Sequence, residues 1–198
     1  FASATSLENA PNGLVARNVV RNCSRHGIVF SGATAECNYC WPNFTQYAIW
    51  NLTFANNSVY GKAGGSIWGS AGVGIAMVGN KIYGKGDVGL DFENCRESVI
   101  RGNRVSGRFN AGVAVFLSSI NISVENNVIA MAVPRDQKCN VDAPGCEGCS
   151  PCDGVWVTPF NPVPGAHHVP RITWTHKDIS VSHNTISVDR MLPQEEGG

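Results

Sequence analysis

The segment SVIRGNRV (98–105) decides the fold, because it recurs at regular spacing along the chain. Every copy has an apolar residue three positions before a shared asparagine and another two positions after it. The step between asparagines is 23, 23 and 24 residues in the middle of the series, and 39 and 57 residues at its ends. The copies are GLVARNVV (13–20), LTFANNSV (52–59), IAMVGNKI (75–82), SVIRGNRV (98–105), ISVENNVI (122–129) and ISVSHNTI (179–186), carrying Asn18, Asn57, Asn80, Asn103, Asn127 and Asn184.

This repeat predicts an all-β fold, a right-handed parallel β-helix (a solenoid) of about six coils of 23–24 residues. Period-two alternation of apolar residues on both sides of a fixed bend is typical of short strands. Asparagine suits the bend because it tolerates αL or Asx geometry, and stacked copies would form a hydrogen-bonded ladder. A second strand begins about nine residues after each asparagine. Its inward residues would be Ile28, Phe30, Ile67, Leu90, Phe92, Val113, Val115, Val155 and Val157.

We expect a single β-helix domain over residues 13–188, after a lead-in of residues 1–12 and before a tail of residues 189–198. Neither end carries the amphipathic helix that would cover an open β-helix edge. Further coils of the same chain, or neighbouring subunits, are therefore expected partners. Cysteine-rich or proline-rich insertions interrupt the coils at about residues 32–50, 132–152 and 158–177.

The charge and hydropathy of the sequence argue against two classes of partner, nucleic acids and membranes. The chain of 198 residues has no formal net charge, and no basic run or stripe is visible along it. Nucleic acid and anionic membrane surfaces are therefore not expected partners. No apolar stretch approaches the roughly 20 residues that span a bilayer, so no membrane span is expected in this segment.

Cysteines and glycosylation motifs predict an extracellular protein, secreted or at the cell surface. An even, high cysteine count favours an oxidising compartment, and Asn-x-Ser/Thr triplets exceed what composition predicts. We expect N-linked glycans at Asn22, Asn43, Asn51, Asn56 and Asn121. We expect disulfide bonds among Cys23, Cys37, Cys40, Cys95, Cys139, Cys146, Cys149 and Cys152.

The cysteine cluster of the second insertion has two interpretations. Four thiolates at Cys139, Cys146, Cys149 and Cys152 are able to surround zinc or an iron–sulfur cluster. Two disulfide bonds that stabilise a loop without its own hydrophobic core are favoured, because the cysteine count and the glycosylation motifs indicate an oxidising compartment. The adjacent His167 and His168 lack a spaced partner ligand, so no metal and no cofactor are predicted.

The stretch GLDFENC…VIRGNRVSG (89–107) and its copies resemble the PbH1-type repeat of the pectin-lyase-like superfamily. The resemblance covers about residues 13–188 and implies the fold. That superfamily includes lyases, hydrolases, epimerases, tailspikes and non-enzymatic surface proteins, so the resemblance implies no single activity. The paired-aspartate and Gly-His-Gly segments of its hydrolases and the base and calcium pattern of its lyases are missing. No catalytic residue is therefore carried over.

One carboxylate pair stands out among the outward positions of the second strand. Asp91 and Glu93 would lie about 6.5 to 7 Å apart by strand rise. That separation suits an inverting glycosidase, and flat aromatic rings nearby would suit sugars. Arg101 and Lys85 are close in sequence and would orient an acidic sugar. The predicted outward columns are Val29, Trp68, Asp91, Ala114 and Trp156, and then Ser31, Ser70, Glu93, Phe116 and Thr158.

Two functions are compatible with this pattern. Charges on a solvated sheet face need no catalytic explanation, which favours a structural or glycan-facing module of a surface glycoprotein. Such a module would also suit the subunit of a filament. The alternative is a polysaccharide hydrolase or lyase that acts through Asp91 and Glu93. In either case glycans or polysaccharides are the expected partners, bound by Trp68, Phe116 and Trp156.

Overall fold

The computed structural model describes residues 5–8, 11–32, 48–62, 64–133, 153–158 and 176–190. Regular structure in these ranges is entirely β-strand, and every pairing is parallel. In this part of the chain no helix is long and apolar enough to cross a bilayer. The strands are β1 (Thr5–Glu8), β2 (Gly13–Ala16), β3 (Val19–Val20), β4 (Ile28–Ser31), β5 (Ile49–Trp50), β6 (Leu52–Ala55), β7 (Ser58–Gly61), β8 (Ile67–Ser70), β9 (Gly72–Val73), β10 (Ala76–Val78), β11 (Lys81–Glu93), β12 (Arg96–Arg101), β13 (Arg104–Phe116), β14 (Ile120–Glu125), β15 (Val128–Val133), β16 (Asp153–Thr158), β17 (Lys177–Ser182) and β18 (Thr185–Arg190).

The strands form two parallel sheets, and each coil passes along three faces in turn. The first face is the eight-stranded sheet of β2, β5, β6, β9, β10, β12, β14 and β17. The ten-stranded sheet supplies the other two faces, because β11 and β13 each continue around a corner. The second face comprises β3, β7, the first halves of β11 and β13, β15 and β18. The third face comprises β1, β4, β8, the second halves of β11 and β13, and β16.

The predicted asparagine ladder is present at the corner between the first and second faces. Each ladder asparagine donates through its side-chain Nδ2 to the Oδ1 of the next, over distances of 2.9 to 3.0 Å. The backbone N–H of the same residue donates to the same oxygen. The two longer steps are single coils, because Val15 pairs with Phe54 and Ile129 pairs with Ile186.

The bend geometry differs from the prediction, because the left-handed residue precedes the ladder asparagine. Positive φ occurs at the residue before every ladder position, for example 55° at Asn56 and 56° at Asn126. That residue makes the corner, and the side chain of the next residue then turns into the interior, where Asn57, Asn80, Asn103 and Asn127 are buried. The full set of corner residues is Arg17, Asn56, Gly79, Gly102, Asn126 and His183.

The core is filled by the apolar positions that flank the asparagine and by the inward positions of the second strand. Phe54, Phe30 and Phe92 are fully buried, and the ring of Phe30 packs against both other rings. Gly69 lies in the same column as Phe30, and an added Cβ there would overlap the Phe30 ring. Inward side chains at the C-terminal end of the solenoid are the exception, with exposed fractions of 38 to 47% at Val157 in β16 and at Val181, Ile186 and Val188 in the last coil.

The domain boundaries differ from the predicted ones at two places. The predicted lead-in contains β1, which pairs in register with β4 and so belongs to the β-helix itself. The first predicted insertion ends earlier than expected, because Ile49 and Trp50 form β5 and pair with β9. Residues 33–47, 134–152 and 159–175 of the three insertions lie outside the described ranges.

Candidate functional site

Strand register places the predicted carboxyl pair on the third face. Asp91 pairs with Trp68 of the preceding coil and with Ala114 of the following one. Glu93 pairs in the same way with Ser70 and Phe116. Both predicted outward columns are confirmed by these pairings and by those of the flanking coils.

The face around this pair is buried, which corrects the expectation of a solvated sheet. Asp91 is only 2% exposed, and Ala114 in the next coil is fully buried. Phe116 is 6% exposed and meets Trp156 edge to face, with ring centroids 5.0 Å apart. Phe116 therefore packs in an apolar cluster rather than presenting a ring face to a sugar, whereas Trp68 and Trp156 remain partly exposed.

Asp91 is the most deeply buried carboxyl group of the site. Burial raises its pKa well above the ordinary value of 3.8, and the neighbouring charges of Glu93 and Asp87 raise it further. One of its oxygens, Oδ1, has no hydrogen-bond partner among the described residues. A buried polar atom without a hydrogen-bond partner costs free energy of folding. Such atoms are characteristic of positions that receive a ligand or a reacting group.

Glu93 titrates close to neutrality. Burial raises its pKa to about 7, against the opposing effect of a hydrogen bond from the indole N–H of Trp68, while the charge of Asp87 raises it. The indole donates to Oε1 over 3.2 Å. Glu93 and Asp91 therefore share a site in which burial favours the protonated form of both carboxyl groups, and in which Glu93 exchanges a proton near neutral pH.

His26 supports the indole from the preceding coil. Its ring stacks on Trp68 with centroids 5.1 Å apart and 24° between the planes. Its Nδ1 accepts the backbone N–H of Gly65 at 3.0 Å, so the neutral ring carries its proton on Nε2. Burial and the charge of Arg25 lower the pKa of His26, which favours that neutral form.

His26 and Asp87 are site residues that the sequence interpretation missed. Asp87 is exposed and accepts a hydrogen bond from Asn110 at 2.8 Å, and its charge acts on both site carboxyl groups. The register of the strands could have revealed His26, because the alignment of Ile28 with Ile67 brings His26 beside Gly65. For Asp87 the signal was the spacing Asp-x3-Asp-x-Glu within one strand.

Arg101 and Lys85, predicted to orient an acidic sugar, lie on other faces. Arg101 ends β12 on the first face and forms an ion pair with Glu125 at 3.8 Å. Lys85 lies on the second face opposite Arg108. Arg101 and Lys85 are therefore close to the carboxyl pair in sequence but not in space, because the chain turns a corner of the coil between them.

Two of the predicted disulfide cysteines are free thiols. Cys23 and Cys95 are both buried in the main core, and burial raises the pKa of the Cys95 thiol. Their prediction as disulfide partners is wrong for this structure, because both side chains point inward as small apolar groups. Cys37, Cys40, Cys139, Cys146, Cys149 and Cys152, as well as His167 and His168, lie outside the described residues.

Four of the five predicted glycosylation sites fall in described ranges. Asn22, Asn51, Asn56 and Asn121 are all exposed and all have positive φ, between 54° and 58°. Asn56 stands at a corner of the solenoid, whereas Asn51 and Asn121 lie on the first face, between β5 and β6 and within β14. Asn43 lies outside the described residues.

Comparison with known families supports the fold directly. The sequence model of the family described as a right-handed beta helix region matches residues 3–146, which is more than half of the chain. Comparisons with curated proteins and with solved structures give no match. Given this match, together with the parallel coils and the asparagine ladder, the chain belongs to the right-handed β-helix family.

Proposed function

We propose that the protein is a carbohydrate-active enzyme, a polysaccharide hydrolase or lyase, in which Asp91 and Glu93 perform acid–base chemistry. The observation that carries this proposal is the paired titration behaviour: burial raises the pKa of both groups, that of Glu93 to about 7. A group with a pKa near the working pH is an efficient proton donor and acceptor. Two neighbouring carboxyl groups in a buried site suit an acid and a base.

The roles follow from burial. Asp91, whose pKa burial raises well above its ordinary value, would donate a proton to a leaving oxygen. Its Oδ1, which has no partner among the described residues, is where a substrate or water would bind. Glu93, held by Trp68, would take a proton from water in a hydrolase or from a sugar carbon in a lyase. Trp68 and Trp156, both partly exposed, would supply the ring surface for the sugar.

A polysaccharide panel tests the proposal. Wild-type protein is expected to release reducing ends or unsaturated products from at least one polymer, with a rate that changes around pH 7. Glu93→Gln and Asp91→Asn should each lower that rate at least about a hundredfold, because each removes a proton-transfer group. The matched control, Glu97→Gln, removes an exposed carboxylate on the first face and should retain the wild-type rate. Wild-type turnover in either site variant would contradict the assignment.

A structural, glycan-facing module is the second candidate. It is favoured by the burial of Asp91, whose carboxyl group is almost closed to solvent. Exposed inward side chains of the last coil, at Val181, Ile186 and Val188, would suit stacking of a further coil from this chain or a neighbouring subunit. Glycan binding without turnover of any polymer in the panel would favour this candidate over the enzyme.

We also propose that the protein is secreted or displayed at the cell surface and N-glycosylated. The exposure of Asn22, Asn51, Asn56 and Asn121 supports this, because an acceptor amide must be accessible. Protein secreted from a eukaryotic host should lose mass on enzymatic removal of N-linked glycans. Thr53→Ala should reduce that loss by one glycan, because it removes the motif at Asn51 and leaves the asparagine in place. An unchanged mass after the enzyme treatment would rule out glycosylation.

A further inference from the structure

Basic residues that are scattered in sequence come together on the second face. Register pairs Lys81 with Arg104 and Lys85 with Arg108 on neighbouring strands. Lys62 directly follows Gly61, which pairs with Gly84, so Lys62 continues the row of Lys85 into the preceding coil. All five side chains are exposed. The absence of a basic run in the sequence is therefore misleading, because a spacing of about one coil turns isolated cations into neighbours.

Aromatic rings occupy the middle row between these cations. Tyr60 pairs with Tyr83, and the two rings stack with centroids 5.5 Å apart and 27° between their planes. The guanidinium of Arg21 lies over the Tyr60 ring at 4.6 Å. We call the whole set the basic stripe, and its members are Arg21, Tyr60, Lys62, Lys81, Tyr83, Lys85, Arg104 and Arg108.

Four of the cations of the stripe have no acidic partner among the described residues. The outward positions of its central coils, residues 58–62, 81–85 and 104–108, contain no Asp or Glu. Lys62, Lys81, Lys85 and Arg104 form no ion pair with any described residue. Like charges directly opposite on adjacent strands are destabilising, and Lys81 and Arg104 are such a pair. An anionic ligand that bridges them would remove this cost.

The arrangement fits a polysaccharide better than a nucleic acid. Proteins that bind single-stranded nucleic acid offer open aromatic faces on which bases stack. The faces of Tyr60 are covered by Arg21 and Tyr83, which leaves ring edges and hydroxyl groups for contact. Neighbouring coils are about 4.8 Å apart, close to the length of one pyranose residue. A sugar chain running along the axis would thus meet a new cation at each coil.

We infer that the basic stripe is a binding surface for an anionic polysaccharide, bearing sulfate or carboxylate groups, separate from the carboxyl pair on the third face. Lys81 and Arg104 line one side of the bound chain, and Lys62, Lys85 and Arg108 line the other. Tyr60 and Tyr83 lie beneath it. The surface does not depend on the proposed catalytic function, since none of its residues belongs to that site.

Affinity electrophoresis at 0.15 M salt tests the inference with four probes: dextran sulfate, polygalacturonate, neutral dextran and a DNA duplex. We expect one or both anionic polysaccharides to bind and neutral dextran not to bind. The double variant Lys81→Gln/Arg104→Gln should raise the dissociation constant about tenfold or more, because the attraction to a polyanion scales with the number of cations. Comparison of the two anionic polymers distinguishes sulfate from carboxylate recognition.

The matched control is Arg101→Gln/Lys177→Gln, which removes the same charge from exposed positions on the first face. It should bind as the wild type does, and so should Glu93→Gln, in which only the proposed catalysis is lost. Equal weakening in stripe and control variants would overturn the inference, as would failure of both anionic polysaccharides to bind. Tighter binding of the DNA duplex than of either polysaccharide would also overturn it.

Discussion

Replacing Glu93 with glutamine is expected to stabilise the protein relative to the wild type by about 3 kcal/mol more at pH 8 than at pH 4.5. The folded-state pKa of Glu93 is raised from 4.5 to about 7, so folding favours the protonated form. Stability from this group is complete below pH 4.5 and is lost as the pH rises to about 7. Glutamine is uncharged at every pH, so the variant does not show this loss of stability.

Urea unfolding at the two pH values measures this effect. Wild-type protein should lose unfolding free energy between pH 4.5 and 8, and the glutamine variant should lose much less. Glu97→Gln removes an exposed carboxylate and should follow the wild-type profile. Parallel profiles for wild type and Glu93→Gln would show that Glu93 is not destabilised by burial, and would remove the main support for its proposed role.

This prediction also separates function from structure at the carboxyl pair. A variant that gains stability at neutral pH while losing activity is the expected behaviour of a site in which a charge is buried for chemistry. Asp91 contributes in the same direction, because burial raises its pKa as well. A residue serving only the fold would show the opposite result, with stability lost on replacement.

Replacing the ladder residue Asn127 with alanine is expected to lower the free energy of unfolding by about 3 to 5 kcal/mol. Asn127 is 1% exposed, and its side chain takes part in four hydrogen bonds. Its Oδ1 accepts the backbone N–H and the side chain of Asn103, and its Nδ2 donates to the carbonyl of Ile100 and to Asn184. Alanine would leave buried donors and acceptors of two coils unpaired.

The neighbouring residue provides a matched control. Asn126 is exposed with φ of 56°, and glycine adopts that conformation without steric cost. Asn126→Gly should therefore change the unfolding free energy by less than about 1 kcal/mol. Denaturant titration of both variants checks the contrast, and equal effects of the two substitutions would refute the importance of the ladder.

Some features of the site were predictable from sequence, and others were not. The pairing of Asp91 with Trp68 followed from counting along the repeat. The burial of Asp91 did not, because alternation in a strand says which side chains share a face and not what covers that face. The stacking of His26 on Trp68 and the free thiol of Cys95 likewise depend on contacts between coils.

The sequence by itself determined the coil, the ladder and most of the inward residues. It could do so because each coil of a solenoid contacts mainly its neighbours, so a fixed period in the chain becomes a fixed position in space. The tertiary structure alone decided which outward positions are buried, and hence that Glu93 titrates near neutrality. The spacing of one coil between Lys62, Lys85 and Arg108 was present in the sequence, but only the structure showed that these cations are exposed together on one face. Charge and desolvation depend on distances in three dimensions, which a one-dimensional pattern does not contain.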